Sequence, residues 1–380
     1  MKEKDLMKKA FILARKGRGL TGLNPMVGAI LLKSDKIIGK GFHQKYGGPH
    51  AEVNAINDAE LKGISVKGAT LVTTLEPCCH RKKKTPPCTN IIINKGIKKV
   101  YYGSIDMNPQ VQGRGIKKLK SSNIKTVFVD SQKNNDQLNR GFLKITQKKL
   151  PYVTLKICMT LDGMIFNKKS CSSSIGDLKQ LKDSNNLRAN YDSILVGVET
   201  IIADNPQLTY RGTGDKNLWQ PRPIVLDSSL RTPLDSKIIK LKNNPIIFTK
   251  LSENSNKSIK LRNLGCTIIK LKNLEPKTVL KSLVKNNVQT VLVEGGGSIF
   301  SSFLKSNVGD QLILYYSSIF MGNSGLNIGH NLDRQYKLKK NITNDEIKYI
   351  YKTTLEKDDN PAIIQILIKL QLGFYINNVN

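Results

Sequence analysis

His50, Cys78 and Cys88 are three soft or borderline metal ligands, one short of a closed tetrahedron. A catalytic zinc uses that number and leaves its fourth position to water, whereas structural sites close with four protein donors. Glu52, two residues past the histidine, is the natural carrier for a proton leaving that water. The chemistry to expect is metal-assisted hydrolysis. Each ligand directly follows a proline (Pro49, Pro77, Pro87), and apolar residues recur at helical spacing after His50 (Val53, Ile56) and after Cys88 (Ile91, Ile92). This places two ligands, and at most three, at helix N-termini, where the macrodipole and free N–H groups favour the thiolate that zinc needs. Cys79 competes with Cys78, and the preceding proline favours Cys78. His80 is a candidate fourth donor. Taken singly, a cysteine is usually a small buried hydrophobe; the set carries the reading.

The elements that must position these residues follow from hydrophobic periodicity. An amphipathic helix (Leu6, Ala10, Leu13, Ala14) precedes a turn at Asn24-Pro25 that feeds an apolar strand over 26–32, with 36–41 as its hairpin partner. A helix led by Pro49 runs to about Ala59, a strand over 69–74 delivers the cysteine loop, and helix 88–95 and strand 99–103 follow. Such βαβ alternation predicts a layered α/β domain with helices on a central sheet. The turn-rich loop 106–115 precedes a helix over 115–121; it either caps a ligand site or is an ordinary connection. The polar segment 131–150 reads as a boundary. A second α/β pattern begins at Pro151, with strands over 152–157, 193–198, 223–227, 245–249 and 288–294. The last of these runs into Gly295-Gly296-Gly297-Ser298 and a helix over 299–304, a turn that lets backbone N–H groups approach a phosphate. It is not the G-x-G-x-x-G fingerprint and by itself is a weak dinucleotide signal.

A chain of 380 residues is expected to form two domains, here 1–148 and 149–380. Three of the six cysteines crowd into eleven residues, which suits a metal site better than a disulfide framework. The net charge of +32 suggests a polyanion at face value. However, lysine far outnumbers arginine and is spread along the whole chain, so a specific nucleic-acid partner is not expected. No stretch approaches the roughly 20 apolar residues that cross a bilayer, and the N-terminus lacks an apolar signal core, so no membrane and a cytoplasmic location are expected.

His50-Ala51-Glu52, followed by Pro77-Cys78 and Pro87-Cys88, is the pattern of zinc deaminases. With Asn24-Pro25, Val27-Gly28, Leu75-Glu76, Thr85-Pro86, Asn108-Pro109, Gly113, Gly115, Asn139 and Gly141-Phe142, the first half resembles the deaminase half of the bifunctional riboflavin-biosynthesis deaminase–reductases. The long gap between the cysteines distinguishes this branch from Pro-Cys-x-x-Cys deaminases. Lys156, Leu161-Asp162-Gly163, Arg188-Ala189, Gly197, Pro206, Asp227 and Glu294-Gly295-Gly296 extend the resemblance through the second half. It implies an α/β chain with a cytidine-deaminase-like three-layer domain followed by a dihydrofolate-reductase-like α/β domain. It also implies one zinc ion held by His50, Cys78 and Cys88, Glu52 as the catalytic carboxylate, and NADPH. NADPH would lie along Cys158, Ser174, Thr200, Asp204, Gly296, Gly297, Ser298, Ile299, Phe300, Ser301 and Ser302. Ser172, Arg188, Leu208, Arg211 and Glu294 would hold a phosphoribosylaminopyrimidine, and the two arginines suit its phosphate. A homo-oligomer is expected.

The chain departs from that pattern in places. One extra residue lies between the cysteines, and the usual glycine there is replaced within Arg81–Lys84, where Lys84 matches a basic position. Ser172-Ser173-Ser174-Ile175-Gly176 stands where an aromatic is usual at Ser174, and Leu181 replaces an arginine. Losing one aromatic contact weakens cofactor binding by about 1 kcal/mol. The alternatives are therefore a deaminase with a degenerate reductase half, and a nucleic-acid deaminase.

Overall fold

In the computed structural model the chain forms two compact units, residues 1–150 and 151–380. The structure describes residues 2–80, 86–167, 175–176, 178–212, 219–241, 243–317, 319–327 and 368–371. Ser172, Ser174 and Arg81–Lys84 lie outside them.

In the first unit the elements run α1 (Glu3–Arg15), β1 (Gly28–Lys33), β2 (Lys36–Phe42), α2 (Ala51–Leu61), β3 (Thr70–Thr73) and α3 (Cys88–Asn94). There follow β4 (Lys99–Tyr102), α4 (Arg114–Ser121), β5 (Lys125–Phe128), α5 (Gln132–Leu138) and α6 (Arg140–Lys148). The sheet order is β2-β1-β3-β4-β5, antiparallel across β2, β1 and β3 and parallel from β3 to β5. Both faces are covered, as the uninterrupted apolar run of β1 requires. Ala29 and Leu31 pack on one side with Ala55, Ile92 and Leu119; Ile30 and Leu32 pack on the other with Met7, Ala10 and Phe11 of α1. The result is the expected three-layer arrangement.

Helix α2, which starts at His50, sits unusually close to the sheet. A Cβ on Gly41 would lie 2.3 Å from Ala55 N and 2.4 Å from Ala51 O, so only glycine lets the helix approach β2 this tightly.

The second unit runs β6 (Tyr152–Thr160), β7 (Met164–Asn167), α7 (Leu178–Arg188), β8 (Ser193–Gly197), α8 (Val198–Asp204) and β9 (Arg222–Leu226). Then come α9 (Lys237–Lys240), β10 (Ile246–Thr249), α10 (Asn256–Asn263), β11 (Thr267–Lys270), α11 (Pro276–Lys285) and β12 (Thr290–Val293). α12 (Gly297–Lys305), β13 (Gln311–Ser317), β14 (Gly325–Asn327) and β15 (Ile368–Gln371) complete the described elements. The main sheet has the order β11-β10-β9-β8-β12-β6-β13-β15 and is parallel except for the β13–β15 pair. Adjacent strands β8 and β12 run in parallel and feed α8 and α12, so both helices begin at the same edge of the sheet. Ligands of open α/β sheets collect at that edge.

The segment 131–150 ends at the division between the two units and, beyond the expectation, carries α5 and α6, with Leu138 in the core against α1 and Ile145 also buried. Strand β5 is not announced by the sequence because, as a half-buried sheet edge, KTVF lacks the apolar run of an interior strand. Strand β13 follows the glycine turn and α12.

Candidate active site

Three donor atoms meet at the ends of α2, β3 and α3. His50 is the N-cap of α2, and its carbonyl accepts the first helical bond from Asn54 N at 3.0 Å. Cys88 opens α3. Cys78 stands in the loop after β3 and leads no helix of its own. Its place is nevertheless fixed by α3, because Cys88 N donates to Cys78 Sγ at 3.4 Å and Thr89 N to Cys78 O at 3.1 Å. The N-terminal N–H groups of α3 have no side-chain oxygen cap. Cys78 takes that role, and the helix end favours negative charge on its sulfur.

His50 Nδ1 lies 3.6 Å from Cys78 Sγ and 3.3 Å from Cys88 Sγ, and all three donors fall within 4.8 Å of one another. A borderline soft dication fits this set: one imidazole nitrogen and two buried sulfurs, aimed at one point. The Cys88 thiol is pushed well up, first by its hydrogen bond with Cys78 and then by burial. Cys79 is turned away, half-buried, with Sγ 4.0 Å from Gln110 O, and neither it nor His80 joins the cluster among the described residues. Cys79→Ser should leave the zinc stoichiometry unchanged, while Cys78→Ser should strip the metal. Metal analysis after dialysis against a weak chelator checks both.

Glu52 sits in the first turn of α2 and is 3 % exposed. Burial raises its carboxyl above the usual carboxylate range, with Cys78 adding to the shift and His50 opposing it, while the Cys88 thiol hydrogen-bonds to it. A buried carboxyl beside the cluster is placed to take up and return a proton.

A pocket opens over the cluster, and Asn24, His43, Asp106, Asn108 and Phe142 line it beside His50 and Glu52. His43 was not legible from the sequence. Its Nδ1 lies 3.1 Å from Pro49 O, and because a carbonyl only accepts, Nδ1 carries the hydrogen. Nε2 is then the acceptor for the Asn24 amide at 3.1 Å. The same ring meets that of His50 edge-on at 5.2 Å, so one imidazole buttresses another. The only sequence signal was a polar residue directly after an apolar strand.

The loop bearing Asn24 is fastened by buried Asn139, from the α5–α6 junction. Its Oδ1 accepts from Met26 N at 2.7 Å, and its Nδ2 donates to Met26 O at 3.0 Å and Asn135 Oδ1 at 2.8 Å. Helix α6 adds Phe142 to the pocket wall. The loop 106–115 borders the site through Asp106 and Asn108.

In the second unit, Gly296 caps α12, and Gly297, Ser298, Ile299, Phe300, Ser301 and Ser302 form that helix's first turns. Gly197, where β8 turns into α8, faces Ile299, whose Cγ1 would be 3.1 Å from an added Cβ. Thr200 and Asp204 lie on α8, so they and the glycine turn share one end of the sheet. Cys158 lies on β6 with Sγ 3.9 Å from Gln180 Oε1.

The residues assigned to the sugar phosphate behave differently from one another. Arg188 grips Glu294 through two bonds, Nη2–Oε2 at 2.8 Å and Nε–Oε1 at 3.0 Å, and its Nη1 donates to Thr209 O at 3.1 Å. Its planar fork is therefore engaged within the protein, while the Arg211 side chain is exposed. Burial raises the Glu294 carboxyl, but Lys156, Arg188 and Arg211 outweigh it and hold the group below the usual range. Three cations around one carboxylate leave an excess of positive charge. Leu208 is 2 % exposed with φ +52°, so its side chain packs in the core and its backbone takes a conformation leucine seldom adopts.

Two families match this chain: the cytidine and deoxycytidylate deaminase zinc-binding region over residues 1–104, and the RibD C-terminal domain over residues 151–348. The riboflavin biosynthesis protein RibD of Aquifex aeolicus is 37% identical over 342 residues, spanning 89% of this chain and 94% of its own. That of Escherichia coli is 32% identical over 85% of this chain and 89% of its own. Among solved structures, the diaminohydroxyphosphoribosylaminopyrimidine deaminase/5-amino-6-(5-phosphoribosylamino)uracil reductase of Thermotoga maritima superposes with a TM-score of 0.76 at 32% identity, covering 97% of this chain and 98% of its own. Acinetobacter baumannii RibD, form 2, gives a TM-score of 0.75 at 31% identity, with the same coverages.

Proposed function

The chain belongs to the RibD family of bifunctional riboflavin-biosynthesis enzymes, and from that premise we propose how its own residues carry the two reactions. It is a zinc-dependent deaminase and an NADPH-dependent reductase acting on a small pyrimidine. The first reaction is hydrolytic loss of an amino group from the diamino-hydroxy-phosphoribosylaminopyrimidine; the second reduces its ribose to a ribityl chain.

The observation that carries the first assignment is the convergence of two buried sulfurs, one imidazole and a buried carboxyl under a polar pocket. His50, Cys78 and Cys88 hold the zinc, which when bound acts as a Lewis acid toward water. Glu52 takes a proton from the attacking water and delivers it to the departing ammonia. Asn24, held by His43, and Asp106 with Asn108 offer hydrogen bonds to the polar edges of the pyrimidine. Phe142 supplies an apolar wall against its ring.

In the second unit NADPH, when bound, supplies the hydride. The helix starts at Gly197 and Gly296 bind its phosphates through backbone N–H groups, with Thr200, Asp204 and residues 296–302 along it. Arg211 meets the substrate phosphate, and Arg188 holds Glu294 in place for the sugar. Residues 1–148 carry deamination and 149–380 reduction. The division of the structure at residue 150 supports that partition. Likeness to RibD proteins along both halves favours a small pyrimidine over a nucleic acid.

No described helix is long and apolar enough to cross a membrane, and a cytoplasmic location is our reading. For assembly we read a homo-oligomer; the edge strand β5, with Phe128 46 % exposed, offers a surface for it.

Purified protein given the pyrimidine and excess NADPH should release ammonia first and oxidise NADPH after it. Ammonia without oxidation would leave a deaminase with an inactive second half. Absence of both from zinc-loaded protein would overturn the reading.

A further inference from the structure

Glu76 is a buried carboxylate that the chemistry above does not use. It is 3 % exposed, stands two residues before Cys78, and forms no ion pair among the described residues. Among the described residues its carboxylate is met by backbone N–H groups. Oε1 accepts from Gly115 N at 2.9 Å and Ile116 N at 3.2 Å, and Oε2 from Gly113 N at 2.9 Å and Asp106 N at 3.3 Å. Four N–H groups drawn from both ends of one loop thus converge on one side chain. Such charge-assisted bonds are short and strong.

Glycine makes the convergence possible. A Cβ on Gly115 would lie 2.1 Å from Pro77 O, so any other residue would push the loop off the metal-ligand segment. Gly113, the N-cap of α4, has φ +73°, which turns its N–H inward at little steric cost. Between these anchors the loop folds on itself: Asp106 Oδ1 accepts from Asn108 N at 2.8 Å, and Asn108 O accepts from Val111 N at 2.8 Å. Asp106 and Asn108 are the loop's contribution to the pocket wall. The strand side is fastened too, since Glu76 N donates to Ser104 O at 3.0 Å and Ser104 Oγ to Thr74 O at 2.8 Å.

We propose that Glu76 is a positioning residue for deamination, its carboxylate gathering loop 105–116 so that Asp106 and Asn108 stand over the metal-ligand residues at the distance the pyrimidine requires. The inference rests on the reading that this loop meets the substrate. A cap for α4 alone would need only the N–H groups of residues 115 and 116. The bonds to Asp106 N and Gly113 N reach the pocket end of the loop and its hinge.

The test uses the full-length, zinc-loaded protein. In Glu76→Gln one acceptor oxygen becomes an amide that donates, so two of the four bonds are lost and a donor faces donors. A misplacement of about 1 Å costs on the order of 100-fold in rate. We expect kcat/KM for ammonia release to fall about 100-fold, mostly through KM, with zinc stoichiometry unchanged. Amide exchange of 106–116 should speed up, and reduction of separately supplied deaminated pyrimidine should be unaffected. Glu76→Asp, which keeps the charge, should recover part of the loss. Unchanged KM in Glu76→Gln, unchanged exchange in the loop, or zinc loss in proportion to lost rate would each overturn the proposal. If Glu76→Gln also loses the reductase reaction and so has failed to fold, Glu76→Asp decides: a raised KM with kcat kept supports the proposal, and wild-type kinetics overturn it. Wild-type protein that releases no ammonia would remove the deaminase reading instead, and this proposal with it.

Discussion

Glu52→Gln is expected to lower ammonia release by about 1,000-fold or more, while zinc stays bound and NADPH-dependent reduction of supplied deaminated pyrimidine continues. Positioned proton transfer contributes about 100- to 10,000-fold, and Glu52 is asked both to accept and to return a proton. The side chain is buried in the first turn of α2, so the isosteric amide keeps the packing while removing the carboxylate that can take up and return a proton. Zinc retention follows because His50, Cys78 and Cys88 form the cluster without it. Parallel assays of ammonia, zinc and NADPH check all three parts. A rate loss that tracks zinc loss would mean Glu52 serves the metal site rather than the proton.

The second large effect is expected from Arg188→Leu. Arg188 and Glu294 are 12 % and 7 % exposed at their side chains and meet at 2.8 Å, so removing the arginine leaves a buried carboxylate short of its main partner. Breaking such a pair costs about 3–5 kcal/mol. The loss should appear as an earlier urea transition with reductase activity gone and deaminase activity intact. The pair also sets a pH dependence. Glu294 is held below its ordinary value of 4.5, so its stabilisation is fully present above that pH and is lost as pH falls through the lowered folded value. The gap in stability between wild type and variant should therefore be constant from pH 6 to 8 and shrink in strong acid. Denaturation at pH 7 and at about pH 3 checks the sign.

These effects were not equally legible in the sequence. The ligand set was, because His50, Cys78 and Cys88 carry donor chemistry by residue type, and their prolines mark where elements begin. Two indeed stand at helix starts, and the third is fixed by a helix that begins ten residues later. The layered fold was readable from apolar runs, since strands buried on both faces cannot hide. What failed was whatever depended on distant partners. His43 and Asn139 are single polar residues whose roles arise from bonds to Pro49, Asn24 and Met26, and no local pattern announces those. Helices α5 and α6 are hard to see in the polar boundary segment because most of their faces are polar and only a few side chains, such as Leu138 and Ile145, enter the core. Arg188 is assigned to the substrate by the resemblance, and its partner Glu294, 106 residues away, is equally unannounced by any local pattern.

The Asn139 clamp also orders events in time. It joins Met26 to a residue 113 positions later, so the loop that lines the pocket gains this fastening only once that later segment exists. During synthesis at about 5–20 residues per second, on the order of ten seconds separates the two. The β1–β2 hairpin and α2 emerge first, the cysteines next, and Asn139 with Phe142 after them. The clasp on the loop that carries Asn24 is thus among the last contacts of the first unit to form.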